Sequence, residues 1–193
     1  GIPVAVGGVY ATIDPESVRP IADHLFTGEA EYTWPKFLKE WTSGNAESLY
    51  RQEGFVDITD SPVPELSLIN PKNYLYFSVQ TSRGCPNNCD FCDVVRLVGR
   101  KYRHKSIEQI MREVKNAHAC GAETVFFSDD NFFVNKAFSV ELLREIIKWN
   151  VTLDRPLSFS TQATVMIGDD EEILKLFADA RFSVIFLGLE TVK

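Results

Sequence analysis

Four short apolar runs, separated by stretches of helical periodicity, constrain this chain more than any other feature. The runs are Asn73–Gln80, Thr124–Phe127, Leu157–Gln162 and Val184–Leu189. Each is rich in branched or aromatic residues and bounded by polar or turn-forming ones, the pattern of a strand. Between them, apolar residues recur at helical spacing: Ile107, Ile110, Met111, Val114 and Ala117 after the capping Ser106, then Leu142, Leu143, Ile146 and Ile147 within 138–149, then a third stretch over 169–180. Strands joined through helices pair in parallel, so the expected fold class is α/β. In such sheets functional groups collect at the carboxyl ends of the strands. Cys85, Asp129, Asp130, Gln162 and Glu190 all fall at such ends.

The densest chemistry follows the first run, in Thr81-Ser-Arg-Gly-Cys-Pro-Asn-Asn-Cys-Asp-Phe-Cys92, which holds Cys85, Cys89 and Cys92. Gly84 and Pro86 favour a turned backbone able to wrap several thiolates around one centre. A structural zinc site closes with four ligands, commonly two separated pairs, and a second pair is missing. Three thiolates suit a cubane iron–sulfur cluster, which then keeps one iron free of protein ligands. Two alternatives stay open at this point. One is zinc completed by His104 or Cys120, stabilising a non-catalytic interaction module; the other is a disulfide with an odd thiol. Cys120, just before Gly121, reads as a small packed residue at a helix end. His24, His104 and His118 are scattered, so no catalytic triad is supported and no catalytic residue is assigned.

The composition, 45% hydrophobic and 24% charged over 193 residues, suffices for a packed core. A net charge of −7 argues against nucleic acid or anionic membrane as partner, although a basic run spans Arg96–Lys105. No apolar run approaches the roughly 18 residues of a transmembrane segment. Without a visible signal peptide, and with exposed thiols, a cytoplasmic location is expected. Both termini fall inside apparent strands, so the chain reads as a segment of something longer. The expected division is a first domain over 1–41, a linker over 42–72 rich in Gly and Pro breaks, and a second domain over 73–193. The first carries a strand at Val4–Val6, a Gly7-Gly8 turn, a helix start at Asp14-Pro15-Glu16, a strand at His24–Phe26 and a helix over Thr33–Trp41. Within the linker, Leu49-Tyr50 and Phe55-Val56 around Gly54 suggest a small hairpin.

The spacing Cys-x3-Cys-x2-Cys, with Phe91 just before the last cysteine, resembles the radical S-adenosylmethionine (SAM) superfamily. The resemblance implies a 4Fe–4S cluster on Cys85, Cys89 and Cys92, whose open iron chelates the amino and carboxylate groups of SAM. Reductive cleavage then gives methionine and a 5'-deoxyadenosyl radical. It also implies a TIM-like (β/α) barrel of six strands, of which this chain carries about two thirds. Superfamily members usually have a Gly-Gly-Glu type motif after the second strand, holding the methionine ammonium. Here Ser128-Asp-Asp-Asn131 stands there, so Asp129 and Asp130 are the candidates, with a plain helix cap as the alternative. Phe91, Gln162 and Glu190 are the further implied SAM contacts, the last within Gly188-Leu-Glu-Thr191. Arg83 and Arg103 either balance negative charge there or are merely solvated.

Residues 1–41 resemble the end of a Rossmann-like cobalamin-binding domain, through Gly7-Gly8-Val-Tyr-Ala-Thr12, Asp14-Pro-Glu16 and Gly28-Glu-Ala-Glu31 ahead of Trp34-Pro35. This implies that Gly7 and Gly8 lie against cobalamin, although Tyr10 departs from the histidine common in relatives. Together with Gly99-Arg-Lys101, Lys105-Ser106 and Phe127-Ser-Asp-Asp-Asn-Phe132, the chain is similar to the cobalamin-binding radical enzymes that include hopanoid methylases. Such a resemblance implies methylation of an unactivated carbon in a small-molecule or lipid-like substrate. It also implies an external electron donor such as flavodoxin or ferredoxin.

Overall fold

The computed structural model describes residues 1–189, so Glu190 lies outside the described residues. The chain divides into two compact units, residues 1–61 with 88–99, and residues 62–87 with 100 onward. The first unit thus takes in much of the expected linker and part of the cysteine segment.

The first unit is built on a parallel sheet whose strands run in sequence order: β1 (Ala5–Val6), β2 (His24–Thr27) and β3 (Leu49–Arg51). Helices α1 (Val9–Ile13) and α2 (Pro15–Val18) join the first two strands, and α3 (Thr33–Thr42) joins the next pair. Asp14 caps α2 by accepting from the Ser17 N–H, with Pro15 at the first helical position, as the sequence suggests. The hairpin around Gly54 is not formed. Leu49–Arg51 instead pairs in parallel with β2, placing Tyr50 beside Phe26 at a ring distance of 5.0 Å. Burying Tyr50 with Phe26 and Phe37 outweighs a local turn, and its hydroxyl is satisfied by donating to Glu40 at 2.7 Å. On α3, Phe37 is buried, while Trp34, Leu38 and Trp41 remain exposed. Helix α4 (Val94–Val98), read from sequence only as part of a basic run, also belongs to this unit.

The second unit is a four-stranded parallel sheet with the order β4 (Phe77–Val79), β7 (Thr124–Phe127), β8 (Ser158–Thr164) and β9 (Phe182–Gly188). Between β4 and β7 lies an antiparallel pair, β5 (Ser82–Arg83) and β6 (Arg103–His104). Helices α5 (Ile107–Ala119), α6 (Lys136–Asn150) and α7 (Glu171–Asp179) connect the strands. Alternation along the strands separates two faces. Phe77, Val79, Val125, Phe127, Phe159 and Ala163 are buried together with Ile110, Val114, Leu142, Leu143, Ile146 and Ile173 of the helices. The opposite face, with Thr124, Phe126, Gln162, Val184 and Phe186, lines an open cavity of about 530 Å³.

The helices form where their apolar stripes predict, and each begins on a side-chain cap: Ser106 accepts from Gln109 N–H, Asn135 from Phe138 N–H and Asp170 from Ile173 N–H. Ser106→Ala is expected to cost about 1 kcal/mol, measured as a lower urea midpoint at unchanged slope. Buried Asn150 ties the end of α6 to the start of β8, donating to Leu157 O at 2.9 Å and accepting from Leu157 N–H at 2.8 Å. The first strand is shorter than expected, because Pro71–Asn73 forms a 3₁₀ turn and Tyr74, Leu75 and Tyr76 are exposed. No described helix is long and apolar enough to cross a membrane.

Candidate active site

The site gathers at the carboxyl ends of β4, β7 and β8. After β4 the chain passes Gln80 into β5, and Gly84 and Cys85 follow directly. All four cysteines are free thiols; Cys85 and Cys92 are partly buried and Cys89 is exposed. The Cys92 N–H donates to the Cys89 carbonyl at 3.2 Å, a tight turn that the two-residue spacing allows. Among the described residues, no three His, Cys, Asp or Glu side chains converge on one point as a single ion would require. A cubane takes its thiolates on different irons and does not ask for that convergence. His104 is also turned to other uses, its ring 4.1 Å from Phe138 and its Nδ1 3.0 Å from the Lys105 carbonyl. By donor type, three cysteines in one loop suit the three protein-held corners of a cluster, whereas a structural zinc takes four ligands.

The two adjacent aspartates after β7 have separate surroundings. Asp129 is fully buried, and its carboxylate accepts from the backbone N–H and hydroxyl groups of both Thr81 and Ser82. Burial pushes its carboxyl up to about 6, against the pull of those hydrogen bonds. Asp130 is half-buried. Burial raises its carboxyl too, countered by a hydrogen bond from the Gly84 N–H and by the nearby Arg83 charge. Arg83 in turn donates through Nε to Gln80 at 2.8 Å. Asp130 therefore sits against the residue before Cys85.

Gln162 lies within β8 rather than beyond its end. Its side chain borders the inner cavity and donates to the Asp129 carbonyl at 2.8 Å, while the Gln162 backbone carbonyl accepts from the Phe132 N–H at 3.1 Å. Phe91 is 69% exposed.

Sequence reasoning missed the short β5–β6 pair and the ion pair between Lys105 and Glu113, joined at 2.6 Å with side chains 7% and 3% exposed. No periodicity announces a two-residue polar strand. Nor does a spacing of eight residues, one partner lying before the helix, suggest an ion pair.

In the first unit, Gly7 and Gly8 play different parts. A side chain at Gly7 would begin 3.1 Å from the Phe26 Cβ, a tight approach that glycine avoids. Gly8 has φ +95°, a left-handed conformation that favours glycine, and nothing lies within 4 Å of where its side chain would start. Thr12 fixes this turn by donating to the Gly8 carbonyl at 2.8 Å and accepting from the Gly28 N–H at 3.0 Å. A cavity of about 470 Å³ opens at the carboxyl ends of β2 and β3, lined in part by Thr12, Thr27, Gly28, Arg51 and Gln52. The Thr27 hydroxyl is buried there without a hydrogen-bond partner.

Cys85 stands shortly after the carboxyl end of β4, and Cys89 and Cys92 follow it along the chain in the three-thiol spacing. The sequence pattern of the radical SAM superfamily matches residues 79–193, and the chain belongs to that superfamily. It is 39% identical over 190 residues to an uncharacterized methyltransferase of Synechocystis sp., covering 97% of this chain and 35% of the relative. It is 34% identical over 195 residues to the hopanoid C-2 methylase of Rhodopseudomonas palustris, covering 98% and 37%. Its fold is similar to that of the radical S-adenosylmethionine methyltransferase TsrM from Kitasatospora setae, solved with tryptophan substrate and the SAM analogue aza-SAM. There the TM-score is 0.80 at 17% identity, over 99% of this chain and 42% of the solved one. The chain spans a little over a third of the length of those two curated relatives.

Proposed function

We propose that this chain forms part of a cobalamin-dependent radical SAM methyltransferase acting on an unactivated carbon of a small or lipid-like molecule. The observation that carries this reading is the placement of Asp130 against Gly84, immediately before the first of three free cluster-type thiols. When bound, the cluster supplies the electron that splits SAM, and cobalamin supplies the transferred methyl group. Cys85, Cys89 and Cys92 would hold the cluster, three protein ligands where a cubane has four irons. Asp130, an acceptor-only carboxylate with part of its surface open, receives the methionine ammonium. Gln162 and Glu190 would offer further polar contacts to SAM, and Phe91 is the remaining contact that the cysteine motif implies. The apolar floor formed by Phe126, Val184 and Phe186 suits a carbon-rich reactant.

For cobalamin, support comes from Gly8, whose bare backbone lets a large ligand approach closely, and from the unpartnered Thr27 hydroxyl in the adjoining cavity. The similarity to the hopanoid C-2 methylase favours methylation over other radical outcomes. A flavodoxin- or ferredoxin-type protein would serve as the electron donor, and cluster-binding thiols favour a reducing compartment such as the cytoplasm.

The test is anaerobic reconstitution of the full-length protein with iron and sulfide. A 4Fe–4S spectrum that changes on adding SAM, release of 5'-deoxyadenosine under reduced flavodoxin, and co-purifying corrinoid are the expected results. Tetrahedral zinc with no SAM cleavage overturns the reading.

A further inference from the structure

We propose that Asp129 is a positioning residue: its buried carboxylate anchors the neck of the cysteine loop to the sheet and makes no contact with SAM. This deepens the radical SAM reading and rests on it for its consequence, though not for its geometry. Oδ1 accepts from the Thr81 N–H at 2.9 Å, from the Ser82 N–H, and from the Ser82 hydroxyl at 3.0 Å, while Oδ2 accepts from the Thr81 hydroxyl at 2.9 Å. An ionised carboxyl offers about four acceptor sites, so these donors use its capacity. Asp129 is 0% exposed, and Thr81 and Ser82 are also buried, which leaves no open face for an ammonium. Its backbone is held from the other side by Gln162 of β8.

What Asp129 grips is a closed neck. Ser82 pairs with His104, Arg83 pairs with Arg103, and the Lys105 N–H donates to the Thr81 carbonyl at 2.9 Å. The chain leaves through Ser82–Arg83 toward Cys85 and returns through Arg103–His104. One carboxylate from the end of β7 thus fixes where the cysteine loop begins. Asp130, the adjacent residue, is left for the ligand.

The two roles respond differently to an amide. In Asp129→Asn the Oδ1 acceptor survives with its three donors, and the Thr81 hydroxyl can rotate to accept from Nδ2. An ammonium partner instead needs the charge. The experiment uses the full-length protein with Asp129→Asn, Asp129→Ala and Asp130→Asn. In the iron-free state, hydrogen exchange of the peptide containing Thr81 and Ser82 is expected to accelerate at least about tenfold in Asp129→Ala and to stay near the parent in Asp129→Asn, as loss of buried hydrogen bonds dictates. After reconstitution, Asp129→Ala loses cluster absorbance, and Asp129→Asn restores it with the SAM dissociation constant within about threefold of the parent. Asp130→Asn keeps the cluster and raises that constant about tenfold or more, the effect of a lost charge-assisted bond.

An Asp129→Asn protein with an intact cluster and SAM binding weakened as in Asp130→Asn overturns the proposal. So does a folded Asp129→Ala protein with unchanged exchange and normal cluster content. Should Asp129→Ala fail to fold, Asp129→Asn decides alone. If the parent itself binds no cluster, the functional reading fails, and the exchange measurement still decides whether Asp129 is the anchor.

Discussion

Alanine at Cys85, Cys89 or Cys92 in the full-length protein is expected to lower 5'-deoxyadenosine formation about a thousandfold or more, the scale on which members of an interdependent catalytic set act. In the proposed site each of the three thiolates would serve as a cluster ligand, so losing one would leave the cluster without a full set of protein ligands. The double variants should therefore be no worse than the singles. Cys120→Ala is the control. This residue is the C-cap of α5, its N–H bonded to the Asn116 carbonyl, and it has no place in the cysteine loop. Its replacement should change activity less than about twofold, as for a modest change in packing. Iron content and product chromatography check both. A single variant among the first three that retains parent-like cluster content removes the ligand assignment.

Lys105→Ala is expected to be the most damaging change outside the cluster and the apolar core, destabilising by about 3–5 kcal/mol because it strands a buried carboxylate. Lys105 and Glu113 are joined at 2.6 Å and almost fully enclosed. Burial already raises the Glu113 carboxyl above its ordinary 4.5, with Lys105 pulling it down. Removing the lysine removes that pull. The folded-state value then rises further above the unfolded one, so the protonated carboxyl is favoured in the folded protein. That contribution is present below about 4.5 and lost as pH rises through the folded value. The deficit of Lys105→Ala should therefore be smaller at acidic than at alkaline pH. Urea denaturation at several pH values checks this, and a pH-independent deficit contradicts it. Replacing both partners, Lys105→Met with Glu113→Leu, is expected to recover most of the loss, since paired apolar groups carry no desolvation cost.

How much of this was legible in the sequence follows from which signals are local. The four strands of the second unit's parallel sheet and the three helices that connect them were readable because Val125, Phe127, Leu142, Leu143 and Ile146 repeat at the periods their elements impose. Ser106 and Asp14 were readable as caps because a cap is satisfied within its own helical turn. By contrast, Leu49–Arg51 is too short for any period. Its identity as a strand comes from pairing with His24–Thr27, more than twenty residues away. The site divides in the same way. The cysteines announce themselves by residue type and spacing, whereas the choice between Asp129 and Asp130 depends on which carboxylate meets Thr81 and Ser82, some forty-eight residues upstream. The open approach to Gly8 and the crowding of Gly7 by Phe26 are likewise tertiary facts that two identical letters conceal.

The antiparallel pairing of Ser82–Arg83 with Arg103–His104 bears on the order of events during biogenesis. Because the two ends of the cysteine-bearing excursion are already fastened together and to β7, the entropy of closing that excursion is met by protein contacts alone. Protein contacts at this neck thus leave only the stretch between Arg83 and Arg103 for cluster assembly to order.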